Sequence, residues 1–522
     1  MKSANLELLN LQFAFPRSTP ALCQLATLGI VVFLIGLPGC GGSKPPSSKS
    51  STSSSPKDIE KPASQSAKPA RNAEALVSPG QTPEDKPAIG VTPAVNGPAL
   101  QEVFRPSDER PPRDDQKLTE MGIRQFESQR LKLYTDIDPT IAATLPPLID
   151  QAYQAMVDYF GPLAPSRART EFQMTGYLIK DDALFREAGL IPEDLPPFNH
   201  GRHRRSEFWM REQKYDYFRR HLLIHEVTHC FMTVMPDTDA PVWYMEGMAE
   251  CFGTHRLNPD GKAKFRVMPT SPEEFAGSGR ITAVRNEYAA RKARSITEIL
   301  DLTPVEFLKT EHYAWSWALS MFLDTHPRYQ TRFRQMGGHL QRNAFPTQFI
   351  RVFGPDTRDL ATEWTLFIQN LQYGYDIPRA AIDFRPGKEL TEPRPHHQFD
   401  IQADRGWQSS AVLMQERQKY EITATGRFEL ADQPKPWISE PQGISFRYFN
   451  GVPLGLLLGC VRTEAGETGG AADSMLKVYP IGRGGTFTAP ATGTLYLRLN
   501  DDWNSLHDNR GHVTIEIRRT DK

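Results

Sequence analysis

Apolar and polar positions divide this chain into four regimes. Leu25 to Leu37 (LATLGIVVFLIGL) is almost uniformly apolar. It is shorter than the roughly 20 residues that a membrane span needs. Residues 41 to 113 follow with Ser, Pro, Lys and Ala in abundance and no aromatic side chain before Phe104. Such a stretch cannot bury enough apolar surface to order itself, so it is predicted to be a disordered tether. Folded patterning begins after it. Leu133 and Tyr134 open a short strand, Ile141 to Phe160 has the spacing of an amphipathic helix, and Thr170 to Ile179 alternates as a strand does. Ser206 to Gln213 reads as an edge strand, Tyr215 to Met235 as a helix, and helical spacing dominates from Ser295 to about Ile368. From about Phe399 the period changes to two. Tyr420 to Ala424, Gly443 to Phe449, Thr494 to Leu499 and His512 to Ile517 alternate between turn signals, the pattern of an antiparallel sandwich. The expected class is α+β: a small mixed sheet with helices, a helical second lobe, then a β-sandwich. The expected segments are 1–40, 41–113, 114–385 and 386–522.

Composition changes this picture little. The 522 residues carry 61 basic and 62 acidic side chains, a net charge of −1, which offers no global field to recruit nucleic acid. Arg202, His203, Arg204, Arg205, Arg211, Lys214, Arg219 and Arg220 form a local basic run with Phe208, Trp209 and Tyr217 among them. Glu207, Glu212 and Asp216 dilute it, so it reads as a solvated rim and no nucleic-acid partner is expected. The apolar N-terminal segment ends in Leu37-Pro38-Gly39-Cys40, which resembles a bacterial lipobox with Cys40 as the lipidated residue; Pro38 departs from the usual small residue. An exported chain is implied, anchored to a bacterial membrane in the cell envelope, with a signal peptide over 1–40. Five cysteines are too few for a disulfide scaffold. Cys230 and Cys251 either close one disulfide or stay as buried thiols.

The chemistry concentrates in His225-Glu226-Val227-Thr228-His229, an H-E-x-x-H motif within the predicted helix. Positions i and i+4 share a helix face, so His225 and His229 can grip one metal ion while Glu226 takes a proton from a metal-bound water. Pro236 and Pro241 break the helix, and Trp243-Tyr244-Met245-Glu246-Gly247-Met248-Ala249-Glu250 opens another. Glu246 from that second helix completes a three-ligand catalytic zinc site. Gly247 is expected to let the two helices approach. Glu250, one turn on, can orient a ligand histidine through its free ring N–H.

H-E-V-T-H followed by W-Y-M-E-G-M-A-E resembles the gluzincin, MA-like metallopeptidases, and is most similar to the family called DUF1570, over about residues 120 to 375. The resemblance implies a zincin-like catalytic domain, Zn2+ held by His225, His229 and Glu246, and Glu226 as general base. The G-x-M-x-N motif of the M1 aminopeptidases is absent, so their specificity does not carry over. Those enzymes place a tyrosine at the start of a later helix to stabilise the oxyanion; Tyr313 matches it in motif order, with His312 as the competing donor.

In the last segment, Gly406-Trp407, Ala424-Thr425-Gly426, Pro453-Leu454-Gly455, Phe487-Thr488-Ala489-Pro490 and Leu499-Asn500-Asp501 resemble the PA-IL-like lectin sandwich. That resemblance implies Ca2+ on oxygens of Asp501, Ser505, Asp508 and Asn509 and a glycan partner. The tyrosine that helps hold calcium in those lectins has no counterpart near Phe428. The functional expectation is a zinc metallopeptidase cleaving peptide or protein substrates outside the cytoplasm. The rival is a surface lipoprotein that binds glycan or protein and keeps its zincin domain as structure.

Overall fold

The computed structural model describes residues 102–520, apart from 111, 237, 239, 276–278, 339–344, 392–395 and 464–470. The expected signal peptide, Cys40 and most of the expected tether lie outside the described residues. The chain is mixed α+β, as its two periodicities predict.

Its first sheet has the order β1 (Arg124–Glu127), β2 (Leu131–Thr135), β3 (Met174–Ile179), β5 (Glu207–Arg211), β4 (Gly201–Arg204). The middle pairings, β2 with β3 and β3 with β5, are parallel, and both outer ones are antiparallel. Both faces are covered, which is why β3 is buried at every position and does not alternate. Leu133, Met174, Phe208 and Met210 face the main core. Tyr134, Tyr177 and Trp209 stack as a ladder on the other face, ring to ring at 5.7 and 5.3 Å.

Two sequence expectations need correction here. The edge strand is β4, not the 206–213 segment, which forms the interior β5. The residues of β4, Gly-Arg-His-Arg, lack the apolar alternation that marks a strand. Also, the described residues between 102 and 113, assigned to the tether, pack against the body. Buried Arg105 pairs with Asp108 at 2.6 Å and donates to the Thr170 carbonyl at 2.9 Å, so charged rather than apolar contacts order this segment.

Helix α1 (Leu145–Phe160) and α2 (Asp216–Thr233) lie on the sheet's core face. Then come α3 (Val242–Gly253), α4 (Arg280–Ala289), α5 (Thr310–Thr325) and α6 (Thr357–Asn370). Gly247 of α3 faces α5, not α2. A Cβ there would stand 2.3 Å from Ser320 Oγ and 2.7 Å from the Ser316 carbonyl oxygen. The close approach predicted for this glycine is therefore real, but its partner is the later helix. Cys230 and Cys251 are buried free thiols. They face apart, Cys230 Sγ toward the Glu207 carbonyl and Cys251 Sγ toward that of Trp317.

The C-terminal part has two antiparallel sheets. Its strands are β6 (His396–Gln402), β7 (Gln408–Met414), β8 (Lys419–Thr425), β9 (Phe428–Glu429), β10 (Ile438–Ser439), β11 (Gln442–Phe449), β12 (Val452–Thr463), β13 (Tyr479–Pro480), β14 (Gly484–Thr488), β15 (Gly493–Leu499) and β16 (Arg510–Arg519). One sheet runs β10-β9-β16-β8-β14 with β6 also on β16; the other runs β11-β12-β15-β7 with β13 on β12. Ile422, Ile515 and Ile517 of the first meet Leu457, Leu495 and Leu497 of the second in one core. The second sheet is apolar on its outer face too: Leu458, Cys460 and Tyr496 join the core of the helical lobe. It is the middle of three layers, so β15 is buried throughout. Asp359 of α6 binds both Arg328, at 2.8 Å, and Arg462 of β12, at 2.6 Å, across that junction. Trp503 stacks on Tyr375 there at 5.7 Å.

Candidate metal centre

Helix α2 sits under β4 and beside α3, and its one-turn spacing brings His225 and His229 to the same side. Their Nε2 atoms are 3.1 Å apart. Glu246 Oε2, from α3, lies 3.1 Å from His229 Nε2 and 3.3 Å from His225 Nε2. Three donors thus form a nearly equilateral triangle. Zinc bonds of about 2.0–2.1 Å at a tetrahedral angle would separate ligand atoms by about 3.3 Å, so the donor set fits that ion.

The electrostatics match. Burial opposes protonation of His225, yet Glu246 and Glu250 outweigh it and raise its pKa to about 10. Burial also penalises the charged form of Glu246, but His229 and His225 hold it well below the usual carboxylate range. Burial lowers the pKa of His229. Three carboxylates, Glu226, Glu246 and Glu250, gather here against the one guanidinium of Arg280, an excess of acid that a divalent cation would offset.

Glu226 is buried beside the triangle, and its Oε2 has no hydrogen-bond partner. The backbone of β4 presses on this carboxylate: a Cβ on Gly201 would stand 2.2 Å from Glu226 Oε1. Glu250 lies behind His225, its Oε1 3.3 Å from His225 Nδ1. Tyr313, in the first turn of α5, has its ring 6.2 Å from that of His225 and its hydroxyl pKa raised, chiefly by burial and then by Glu246 and Glu250. His312 is engaged elsewhere. Its Nε2 is 2.8 Å from Arg294 Nη2 and its Nδ1 2.5 Å from the Glu306 carbonyl oxygen.

Four residues at this centre were not singled out from the sequence for it. His203, placed in the solvated rim, stacks on His229 at 4.5 Å with its Nδ1 3.6 Å from Glu226 Oε2. Gly201 shares its face of β4, an alternation hidden by the surrounding arginines. His221 precedes His225 by one turn, and that spacing was visible. Arg280 carries no local signal; it reaches Glu250 from thirty positions away, with Nε and Nη2 at 2.6 and 2.5 Å. Three other basic residues of the run are in ion pairs, Arg204 with Asp194, Arg211 with Asp182 and Arg219 with Glu212.

The calcium candidates are partly assembled. Asn509 Nδ2 donates to Asp501 Oδ2 at 2.8 Å, and the Asp502 backbone N–H to Asp501 Oδ1 at 2.7 Å. Asp508 Oδ1 and Asn509 Oδ1 are buried acceptors without a partner. Ser505 turns to Asn504 Oδ1 at 3.0 Å. Burial lifts Asp501 to a pKa of about 6.

No family model matches this chain, and no curated protein matches it in sequence. Among solved structures it is similar to one described as "EclA N-terminal domain; PllA-like lectin", at 20% identity over 24% of this chain and 95% of that one. The TM-score is 0.19, a likeness too slight to argue for a fold or a ligand.

Proposed function

We propose that this chain is a zinc-dependent peptide hydrolase of the gluzincin type, acting outside the cytoplasm. The observation that carries the reading is the donor triangle of His225, His229 and Glu246, with edges of 3.1–3.3 Å and Glu226 beside it. Zinc bound there would bring the pKa of a water toward neutrality and polarise the scissile carbonyl. Glu226 accepts the proton of the attacking water and returns it to the leaving amine. Tyr313 donates to the oxygen on which negative charge develops. Glu250 keeps the His225 proton on Nδ1, leaving the Nε2 lone pair for the ion. The free edge of β4 offers backbone N–H and C=O groups to an extended peptide.

The second reading is a glycan- or protein-binding lipoprotein with a structural zincin domain. The unpartnered acceptors on Asp508 and Asn509 favour a cation at its C-terminal loop. Metal content of the purified full chain decides between the two. About one zinc per chain, lost in Glu246→Ala, supports the hydrolase. No zinc after supplementation overturns it in favour of the binding protein.

A further inference from the structure

A second group of metal-competent donors lies directly behind the first. His221, His225 and Glu250 are all buried, and their ligand atoms lie within 4.8 Å of one another. The two groups share His225, whose Nε2 faces Glu246 and whose Nδ1 faces Glu250. Side-chain type and burial alone would allow a second ion here.

Acceptor count argues against one. An ionised carboxylate has about four lone-pair positions. Those of Glu250 are all engaged: Oε2 takes Arg280 Nε at 2.6 Å and His221 Nε2 at 3.1 Å, while Oε1 takes Arg280 Nη2 at 2.5 Å and faces His225 Nδ1 at 3.3 Å. A guanidinium has no lone pair to give a metal and stays charged at every working pH, so it can neither ligate an ion nor titrate out of its way. Charge argues the same way. With one divalent ion on the first group, the three carboxylates and Arg280 are neutral together, and another cation would have no counter-charge.

We propose that Arg280 serves as a built-in cation in the second group and so holds this centre to a single metal ion. The proposal rests on the zinc reading of the first group. Arg280 is a positioning residue here: it acts through Glu250, fixing that carboxylate as a hydrogen-bond acceptor for His221 and His225. Its guanidinium also lies 5.7 Å from the ring of Tyr313.

The test counts zinc. The full chain and its variants are dialysed to equilibrium against excess zinc, washed against a weak chelator, and assayed for metal per folded chain. The unaltered chain is expected to hold one zinc. Arg280→Met, which keeps the stem and removes the charge, is expected to hold two. Arg280→Lys is expected to return to one, as is Arg280→Met combined with His221→Ala. Should Arg280→Met be insoluble, Arg280→Gln carries the same expectation of two. A folded neutral variant with one zinc overturns the proposal, as does a second zinc that survives His221→Ala, or two in the unaltered chain. No zinc in the unaltered chain is a different result, which overturns the hydrolase reading beneath it.

Discussion

Gly201→Ala should separate the metal from the chemistry. The added Cβ would stand 2.2 Å from Glu226 Oε1, 2.7 Å from its Cδ and 2.9 Å from its Cγ. Ordinary contact for such a carbon begins near 3.4 Å, so the carboxylate must retreat by about 1 Å. Glu226 is the end of a side chain, whereas Gly201 is held by its pairing with Met210, so the side chain is what gives. A catalytic group displaced by about 1 Å costs on the order of 10²-fold in rate, or about 2.7 kcal/mol of barrier. The three atoms nearest that Cβ all belong to Glu226 and none to the proposed zinc ligands, so the loss should fall on kcat rather than on metal content. The assay is turnover of a quenched peptide that the unaltered chain cleaves, beside zinc per chain and the melting temperature. Unchanged kcat in a folded, zinc-loaded variant would refute the placement of Glu226 as the proton carrier. Loss of zinc together with activity would refute the separation argued from the contact distances.

Glu226→Gln is expected to keep its zinc and lose turnover entirely, read by metal analysis and the same peptide; a fully active variant would sink the general-base role. Tyr313→Phe should lower kcat by about 10²–10³-fold with KM little changed, the size typical of one lost oxyanion donor. Equal turnover would return Tyr313 to an ordinary packing residue. Asp501 titrates within reach of a simple melt. Its carboxyl is raised from 3.8 to about 6 by burial. A raised acid favours the folded state below its unfolded pKa and loses that contribution as pH climbs through its folded one. In calcium-free buffer, scanning calorimetry should therefore show stability falling between pH 4 and 6 by up to about 3 kcal/mol, and less in Asp501→Asn. Millimolar calcium at pH 7 should raise the melting temperature of the unaltered chain and not of that variant. No calcium response would leave the loop as a turn.

Much of the candidate metal centre is legible in the sequence because its spacing is local. His225, Glu226 and His229 need only a helix, and Glu246 with Glu250 only a second helix at the right remove. Residues that arrive through tertiary packing left weaker traces. Arg280 reaches Glu250 from another helix, and no window of sequence contains both. His203 and Gly201 share a strand face, but Arg202 between them and Arg204 after them mask the alternation, so the pattern points to the next hairpin arm instead. The pattern of 206–213 predicts a strand but not its interior place in the sheet, because β-periodicity reports a strand without its neighbours. In the C-terminal part four strands, β8, β11, β15 and β16, are readable from turns and alternation, and the others are not. The continuous apolar run of β12 was the sign that its sheet is covered on both faces.

That doubly covered sheet makes the C-terminal part a wall of the molecule rather than an appendage. Ending the chain at 385 would lay bare the apolar side of the helical lobe that Leu458, Cys460 and Tyr496 now cover. The lobe could not then stay soluble alone, and the chain from 102 onward should melt in one transition. A ligand bound by the C-terminal sheets would consequently be held at one fixed bearing to the candidate metal centre. A grip on a polymer at one end would present a set stretch of it at the other, as a ruler does.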